Sequence, residues 1–379
     1  MEVYSENDDE EIFFLSEEYN ISKINLRNLQ ENQIMTVDGK EYPFAKSMKL
    51  KNGSHNIILH FNEEINYCEN MFKNCKNITS IHFDASNNCD NMSYMFSGCS
   101  SLLSINLGKL NASGVESMEY MFNGCSSIKS FDFSNFYTNN ITNMEGMFSD
   151  CESLWSLDLK TFTSIYVVNM KNMFKGCTNL INIKWNEFEG IYVYNMEKMF
   201  SECKSIKEID LTSLQTDYLY NMNETFNECT NLTTIITGSF QTSHVETMYH
   251  LFYGCNSLKS IDVTKFYFYN LQNNIEDLFG DIGDNTYLKQ LYNTILAIKE
   301  EEKIIKDYDK NVVLEIKLYK NNNLRKTRIF GDDFKLSQIK DSLMFFEYEN
   351  VELTNSFNNL EEGKEYYILI FLKGNLDDI

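Results

Sequence analysis

The sequence predicts an α/β solenoid, a right-handed array of about eight to nine 26-residue helix-strand repeats flanked by small β-rich end modules. Three observations predict it. Cysteine recurs at Cys99, Cys125, Cys151, Cys177, Cys203, Cys229 and Cys255 in a strict 26-residue step, with Cys75 one 24-residue step earlier. Each cysteine closes the phrase Met-Phe-x-x-Cys, as at Met95-Phe96, Met121-Phe122 and Met147-Phe148, weakened to Thr225-Phe226 and Leu251-Phe252 late in the series. After each cysteine the apolar residues alternate, as in Leu102-x-x-Ile105-x-Leu107-x-x-Leu110 and again at Leu154, Leu157, Leu159 and Phe162. A fixed period of this length is the signature of stacked units that bury a shared core.

Residues 1–64 read as an acidic leader and a β-rich cap. The first 20 residues hold eight carboxylates and no basic side chain, which fits a solvated leader better than a docking tail. An apolar run at Ile12 to Leu15 follows, then a hairpin at Val37-Asp38-Gly39-Lys40-Glu41-Tyr42, a step from Phe44 to Met48 and a strand from His55 to Phe61.

Residues 65–284 hold the array. Val115, Met118, Met121, Phe122 and Cys125 fall three or four apart, the spacing of one face of a short helix. Asn91, Asn143, Asn169, Asn195 and Asn221 precede the first methionine as N-caps, with Glu145 and Glu197 suited to a first helical turn. The array decays at Leu278-Phe279, where Ile282 stands in the cysteine slot after a 27-residue step.

The spacing Leu-x-x-Ile-x-Leu-x-x-Leu is that of a strand lining a leucine-rich-repeat array. The full phrase, Val-x-Asn-Met-x-x-Met-Phe-x-x-Cys-x-x-Leu-x-x-Ile-Asp-Leu-x-x-Phe, resembles the repeats of BspA-like proteins, also described as Mycoplasma-type surface lipoprotein repeats and abundant in anaerobic protists. That resemblance covers residues 65–284. It implies a leucine-rich-repeat-like solenoid that binds other macromolecules, sometimes as an adhesin, and it implies no catalytic residues.

Residues 285–310 read as a capping helix with Leu288, Leu291, Tyr292, Ile295 and Ile298 on one face and Glu300 to Glu302 turned outward. Residues 311–379 read as a small β-rich module that opens with a strand at Val312 to Tyr319, a turn at Asn321 to Asn323 and a strand at Leu324 to Phe330. From Ile329 onward its elements follow the order of the N-terminal cap: Leu343 to Val351 for the hairpin, Leu353 to Phe357 for the step, Tyr366 to Leu372 for the last strand. Two readings stay open, a duplicate of the first cap or an unrelated β-rich end.

All ten cysteines fall in apolar slots: eight in the repeat position, Cys68 where Met92 stands one repeat on, and Cys89 where Val115 stands. Stacked strands lie about 4.8 Å apart, beyond the roughly 3.8 Å between Cβ atoms that a disulfide prefers, so the reading is free thiols used as small core fillers. On that basis Cys151→Ser, which buries a hydroxyl, is expected to cost more than Cys151→Ala. No Cys-x-x-Cys pair suggests a metal site. His55, His60, His82, His244 and His250 share no register with a nucleophile, and Gly39-Lys40 lacks a glycine-rich loop before it. The expectation is no enzyme activity, no metal and no cofactor.

A net charge of −22 makes nucleic acid and anionic membrane surfaces poor partners and favours a protein partner with a basic surface. No apolar run reaches the roughly 18 residues of a membrane span, and the acidic start lacks a secretory signal's positive region. Reduced thiols fit a cytoplasmic or intracellular location, with the cell surface as the alternative if a leader is missing.

Two surfaces are candidates for partner binding. Asp132, Asp158, Asp210 and Asp262 recur between the two strand apolars on the inner strand face, which is expected to form an open, mildly acidic concave surface. Tyr166, Tyr192 and Tyr218 precede an inward Val or Leu in the central repeats, and Val168, Tyr194 and Tyr220 follow it, so stacking should align two aromatic columns. The function expected is a protein-protein interaction scaffold, with an exported adhesin and a self-assembling structural component as alternatives.

Overall fold

The computed structural model describes residues 1–20, 34–61, 65–184 and 193–307, apart from short breaks at 85–86, 109, 135, 163–165, 215, 239, 264, 269–270, 272–274, 281 and 283–284. Beyond 307 it describes the strand segments given below. The chain divides into two compact units, Met1–Ile295 and Leu296–Ile379.

Six strands build the N-terminal module: β1 (Glu2–Ser5), β2 (Glu10–Phe13), β3 (Ile34–Val37), β4 (Lys40–Pro43), β5 (Ser47–Leu50) and β6 (Gly53–Leu59). The expected hairpin forms, Val37 facing Lys40 across Asp38 and Gly39, whose positive φ values of 52° and 78° are those a two-residue turn between twisted strands requires. The sheet runs β4-β3-β6-β1, and β2 pairs with β5 separately. Residues 1–20 are therefore not a solvated leader. Val3, Ile12, Phe14, Leu15 and Tyr19 are buried while Glu2, Glu6 and Glu11 are exposed, so the acidic residues are the outward half of an alternating pattern.

The second edge of β1 receives β7 (Ile78–His82), the strand of the first repeat, in antiparallel pairing. Later repeats add β8 (Asn87–Asn88), β9 (Ser104–Asn106), β10 (Leu110–Asn111), β11 (Ser156–Asp158), β12 (Asn182–Lys184), β13 (Glu208–Asp210), β14 (Thr234–Ile236) and β15 (Ser260–Ile261). Neighbouring repeats pair in parallel and in register, Leu157 with Ile183 and Ile209 with Ile235 and then Ile261.

The helix-strand solenoid is corrected. Among the described residues the one α-helix, α1 (Thr286–Asp307), lies outside the repeats, and the repeat strands fall into separate small sheets rather than one continuous array. The reason lies in the Met-x-x-Met-Phe-x-x-Cys segment. It carries two residues in the left-handed region, Tyr120 (φ 51°) and Gly124 (φ 69°), recurring as Gly146 and Asp150, then Asn172 and Gly176. No right-handed helix passes through such positions. Alternate N–H groups leave the repeat altogether: those of Met118, Tyr120, Phe122 and Gly124 donate to the carbonyls of Asn143, Glu145, Met147 and Ser149 at 2.7–3.0 Å. The intervening N–H groups of Met121, Asn123 and Cys125 bond three residues back within the turn. The segment is thus a string of tight turns whose backbone is completed by the next repeat.

Asparagine keeps its capping chemistry without a helix. The Oδ1 atoms of Asn143, Asn169 and Asn195 accept the N–H two residues on at 2.9–3.1 Å, and Asn143 and Asn169 donate Nδ2 to Glu119 and Glu145 of the repeat before.

The core is a set of columns. Phe72, Phe96, Phe122, Phe148, Phe174, Phe200, Phe226, Phe252 and Phe279 stack ring on ring, centroids 5.3–5.9 Å apart. Each is buried, a contribution of roughly 1.5–3 kcal/mol per side chain. At the far end Asn285 accepts the Leu288 N–H at 3.0 Å and caps α1, while Leu288, Leu291 and Ile295 are buried. The Tyr287 hydroxyl accepts the N–H of Ile261 on β15 at 2.8 Å. Ile298 is half-buried, and the side chains of Glu300 to Glu302 lie outside the described residues.

The C-terminal unit contains β16 (Val313–Tyr319), β17 (Thr327–Arg328), β18 (Leu343–Phe346), β19 (Glu349–Val351), β20 (Ser356–Phe357) and β21 (Glu365–Phe371). Its sheet order is β16-β21-β18-β19, with β17 paired to β20. Of the strand, turn and strand expected from Val312 to Phe330, β16 and β17 are strands, β16 pairing with β21 and β17 with β20, while Asn321 to Asn323 lie outside the described residues.

Candidate functional site

The cysteines of the repeat slot do more than fill space. Cys75, Cys99, Cys125, Cys151, Cys177, Cys203, Cys229 and Cys255 are all buried and free. From Cys99 to Cys255 each thiol donates to the carbonyl of the phenylalanine one repeat earlier, Phe72 through Phe226, at 3.0–3.2 Å. Burial raises these thiols, Cys75 and Cys255 to about 12, which leaves them protonated donors and poor nucleophiles. The reading of ten free thiols is corrected at the other two. Cys68 and Cys89 are joined by a disulfide, Cα atoms 5.8 Å apart. They belong to adjacent repeats but to different slots, and that offset brings their side chains together where ladder cysteines run parallel.

The acidic row, exposed at Asp132 and Asp210 and half-buried at Asp158, is structural in its contacts. Asp132, Asp158 and Asp210 each accept the N–H two residues on, from Ser134, Lys160 and Thr212 at 2.9–3.1 Å, closing the turn that ends the strand. The Ser134 bonds hold the Asp132 carboxyl below the usual carboxylate range. Asp262 is exposed in the same row. Lys184 and Ile236 interrupt it, pairing in register with Asp158 and Asp210, and the Lys160 ammonium stands 3.9 Å from Asp158.

The described residues of the central repeats show the inward and outward alternation, with one stacked aromatic pair. Val167, Val193 and Leu219 are fully buried, while Tyr166, Tyr194 and Tyr218 are 50%, 47% and 57% exposed. Backbone bonds fix the second column: Tyr194 N–H donates to Val168 O, and Tyr220 N–H to Tyr194 O, at 2.8–2.9 Å. Tyr194 and Tyr220 stack with centroids 5.1 Å apart and rings 3° from parallel. A hydrogen bond to Glu246 raises the half-buried Tyr220 hydroxyl above the ordinary tyrosine range. Tyr192 lies outside the described residues.

Sequence reasoning missed a second exposed apolar group. Trp155 and Ile181 are 53% and 51% exposed on neighbouring repeats, joined by the Ile181 N–H to Trp155 O bond of 3.0 Å. The signal was present: they occupy the position after Leu154 and Leu180, where the adjoining repeats carry Lys129 and Lys207. No helix among the described residues is long and apolar enough to cross a membrane.

No curated protein matches the chain. A family model described as Mycoplasma protein of unknown function, DUF285, matches residues 66–187 and again residues 168–288. The match carries the Mycoplasma-type part of the resemblance and does not extend to a BspA-like leucine-rich-repeat assignment. On this double match over the repeat region, the chain belongs to the DUF285 family of Mycoplasma-type repeat proteins.

Proposed function

We propose that the chain is a non-enzymatic interaction protein that binds a protein partner through the tyrosine columns of its central repeats. The observation that supports this reading is the half-exposed Tyr194, stacked on Tyr220 and held by backbone bonds between repeats, with Tyr166 and Tyr218 also exposed in the neighbouring repeats. Tyrosine adds large contact area at low rotamer cost, and prefixed rings lose little entropy on binding. The acidic row is the weaker candidate, because its carboxylates are spent on turn closure and its charge is broken by Lys184 and Ile236. Proximity labelling in the native cell, with wild type against Tyr194→Ser/Tyr218→Ser, tests the reading. Proteins labelled by the wild type and lost with the variant support it; identical labelling contradicts it.

For the compartment, intracellular placement stands as the first proposal, from the charge and the eight free thiols. The Cys68–Cys89 disulfide favours the second, an exported surface protein in an oxidising environment. Maleimide labelling of unfolded, unreduced protein from the native cell separates them: ten reactive thiols support the first, eight the second.

A further inference from the structure

The two end modules share one strand plan. The N-terminal sheet runs β4-β3-β6-β1 with β2–β5 apart; the C-terminal sheet runs β19-β18-β21-β16 with β17–β20 apart, and every pairing is antiparallel in both. The agreement extends to register. Val37 faces Lys40 across two residues and Ile57 on its other side, as Phe346 faces Glu349 and Ile368. Phe13 faces Ser47 as Arg328 faces Ser356, and Val3 faces His55 as Leu318 faces Tyr366.

One offset, 315 residues, carries Val3 to Leu318 and Phe13 to Arg328. A second, 309, carries Val37, Lys40 and Ser47 to Phe346, Glu349 and Ser356, and a third, 311, carries His55 and Ile57 to Tyr366 and Ile368. Two length changes, one before β3 and one before β6, therefore relate the whole of one module to the other. Unrelated caps have no reason to agree pair by pair, so the duplicate reading is the one the register supports.

The copies differ at one edge. In the first, β1 is covered by the opening strand of the repeats: Val3 faces Ile78 and the Tyr4 N–H donates to the Asn77 carbonyl at 2.9 Å. In the second, β16 is an edge strand among the described residues. An open strand edge is a row of unmet donors and acceptors, and strand addition is its ordinary chemistry. We propose that the C-terminal module is a second seeding cap, whose β16 edge receives the first strand of a 26-residue repeat of this family. The occupant enters antiparallel by the N-terminal side of its repeat, as β7 does on β1. Repeats already stacked have that side taken by the repeat before them, so the occupant is an opening repeat. This inference does not depend on the tyrosine columns.

The test extends the full chain after Ile379 with a copy of its own residues 62–137 and compares amide hydrogen exchange with the unextended chain. By the offset of 315, Lys317 and Tyr319 correspond to Glu2 and Tyr4. Their amides should slow at least tenfold in the extended chain, while Leu318, bonded within its own sheet, should not change. Tyr319→Pro, which removes the outward donor, should cancel the protection of the appended repeats. Appended repeats that fold without slowing Lys317 and Tyr319, or that fail to fold at all, would overturn the proposal.

Discussion

The Cys151 thiol donates to the Phe122 carbonyl at 3.2 Å, from one repeat to the one before. This bond reverses the stability order expected for a purely apolar slot. A hydroxyl at position 151 finds a waiting acceptor, and in the methionine slot Thr225 is a buried hydroxyl satisfied by backbone carbonyls, Met222 O at 2.8 Å and Met196 O at 3.1 Å. Cys151→Ala should cost about 1–3 kcal/mol through the lost donor and the small void, and Cys151→Ser no more than that. Urea unfolding measures both. A serine variant clearly less stable than the alanine variant would mean that packing of the sulfur, not the bond, decides.

Gly124 and Gly146 separate two costs. Both have positive φ, 69° and 57°, so alanine at either meets the left-handed penalty of about 1–2 kcal/mol. An added Cβ at Gly124 meets nothing closer than Gly98 Cα at 3.7 Å, whereas at Gly146 it runs into the Tyr120 ring. Gly146→Ala should therefore lower the melting temperature more than Gly124→Ala.

How much of this was legible divides at the turn. The period, the buried columns and the inward Val167, Val193 and Leu219 follow from spacing, because burial repeats with the chain. The helix did not form because Met118, Met121, Phe122 and Cys125 also satisfy a string of turns. Apolar spacing reports which side chains face inward and is blind to where the N–H groups point. Gly98, Gly124, Gly176 and Gly254, each just before a cysteine, were the sign of left-handed backbone. Glu202 and Glu228 hold the same conformation without glycine, which masked the pattern. The thiol bond was illegible because its acceptor is a backbone carbonyl from another repeat.

His55 and Asp38 form an ion pair at 2.8 Å that ties the β3–β4 turn to β6. The hydrogen bond raises the His55 pKa above 6.5 and lowers that of Asp38 below 3.8. The histidine's contribution is full below its unfolded value and is lost as pH rises through the folded one. The aspartate's is present above its unfolded value and is lost as pH falls through the folded one. The pair thus supports the cap most strongly between those unfolded values. In Asp38→Asn, NMR titration should show the His55 pKa fall toward 6.5; an unchanged value would remove the pair from the account.

Thiol reactivity should follow burial. In folded protein the eight ladder cysteines should resist maleimide, since burial holds them protonated. Rapid labelling of any one without unfolding would show that the repeat containing it opens.

The central claim is that the exposed tyrosines serve recognition rather than stability, and the most direct measurement pairs affinity with melting. For a partner recovered by proximity labelling, Tyr194→Ser/Tyr218→Ser should weaken binding at least tenfold, about 1.4 kcal/mol, with the melting temperature within about 2 °C of wild type. Binding preserved alongside a fall of roughly 6 °C or more would contradict the claim and assign the columns to the stability of the repeats.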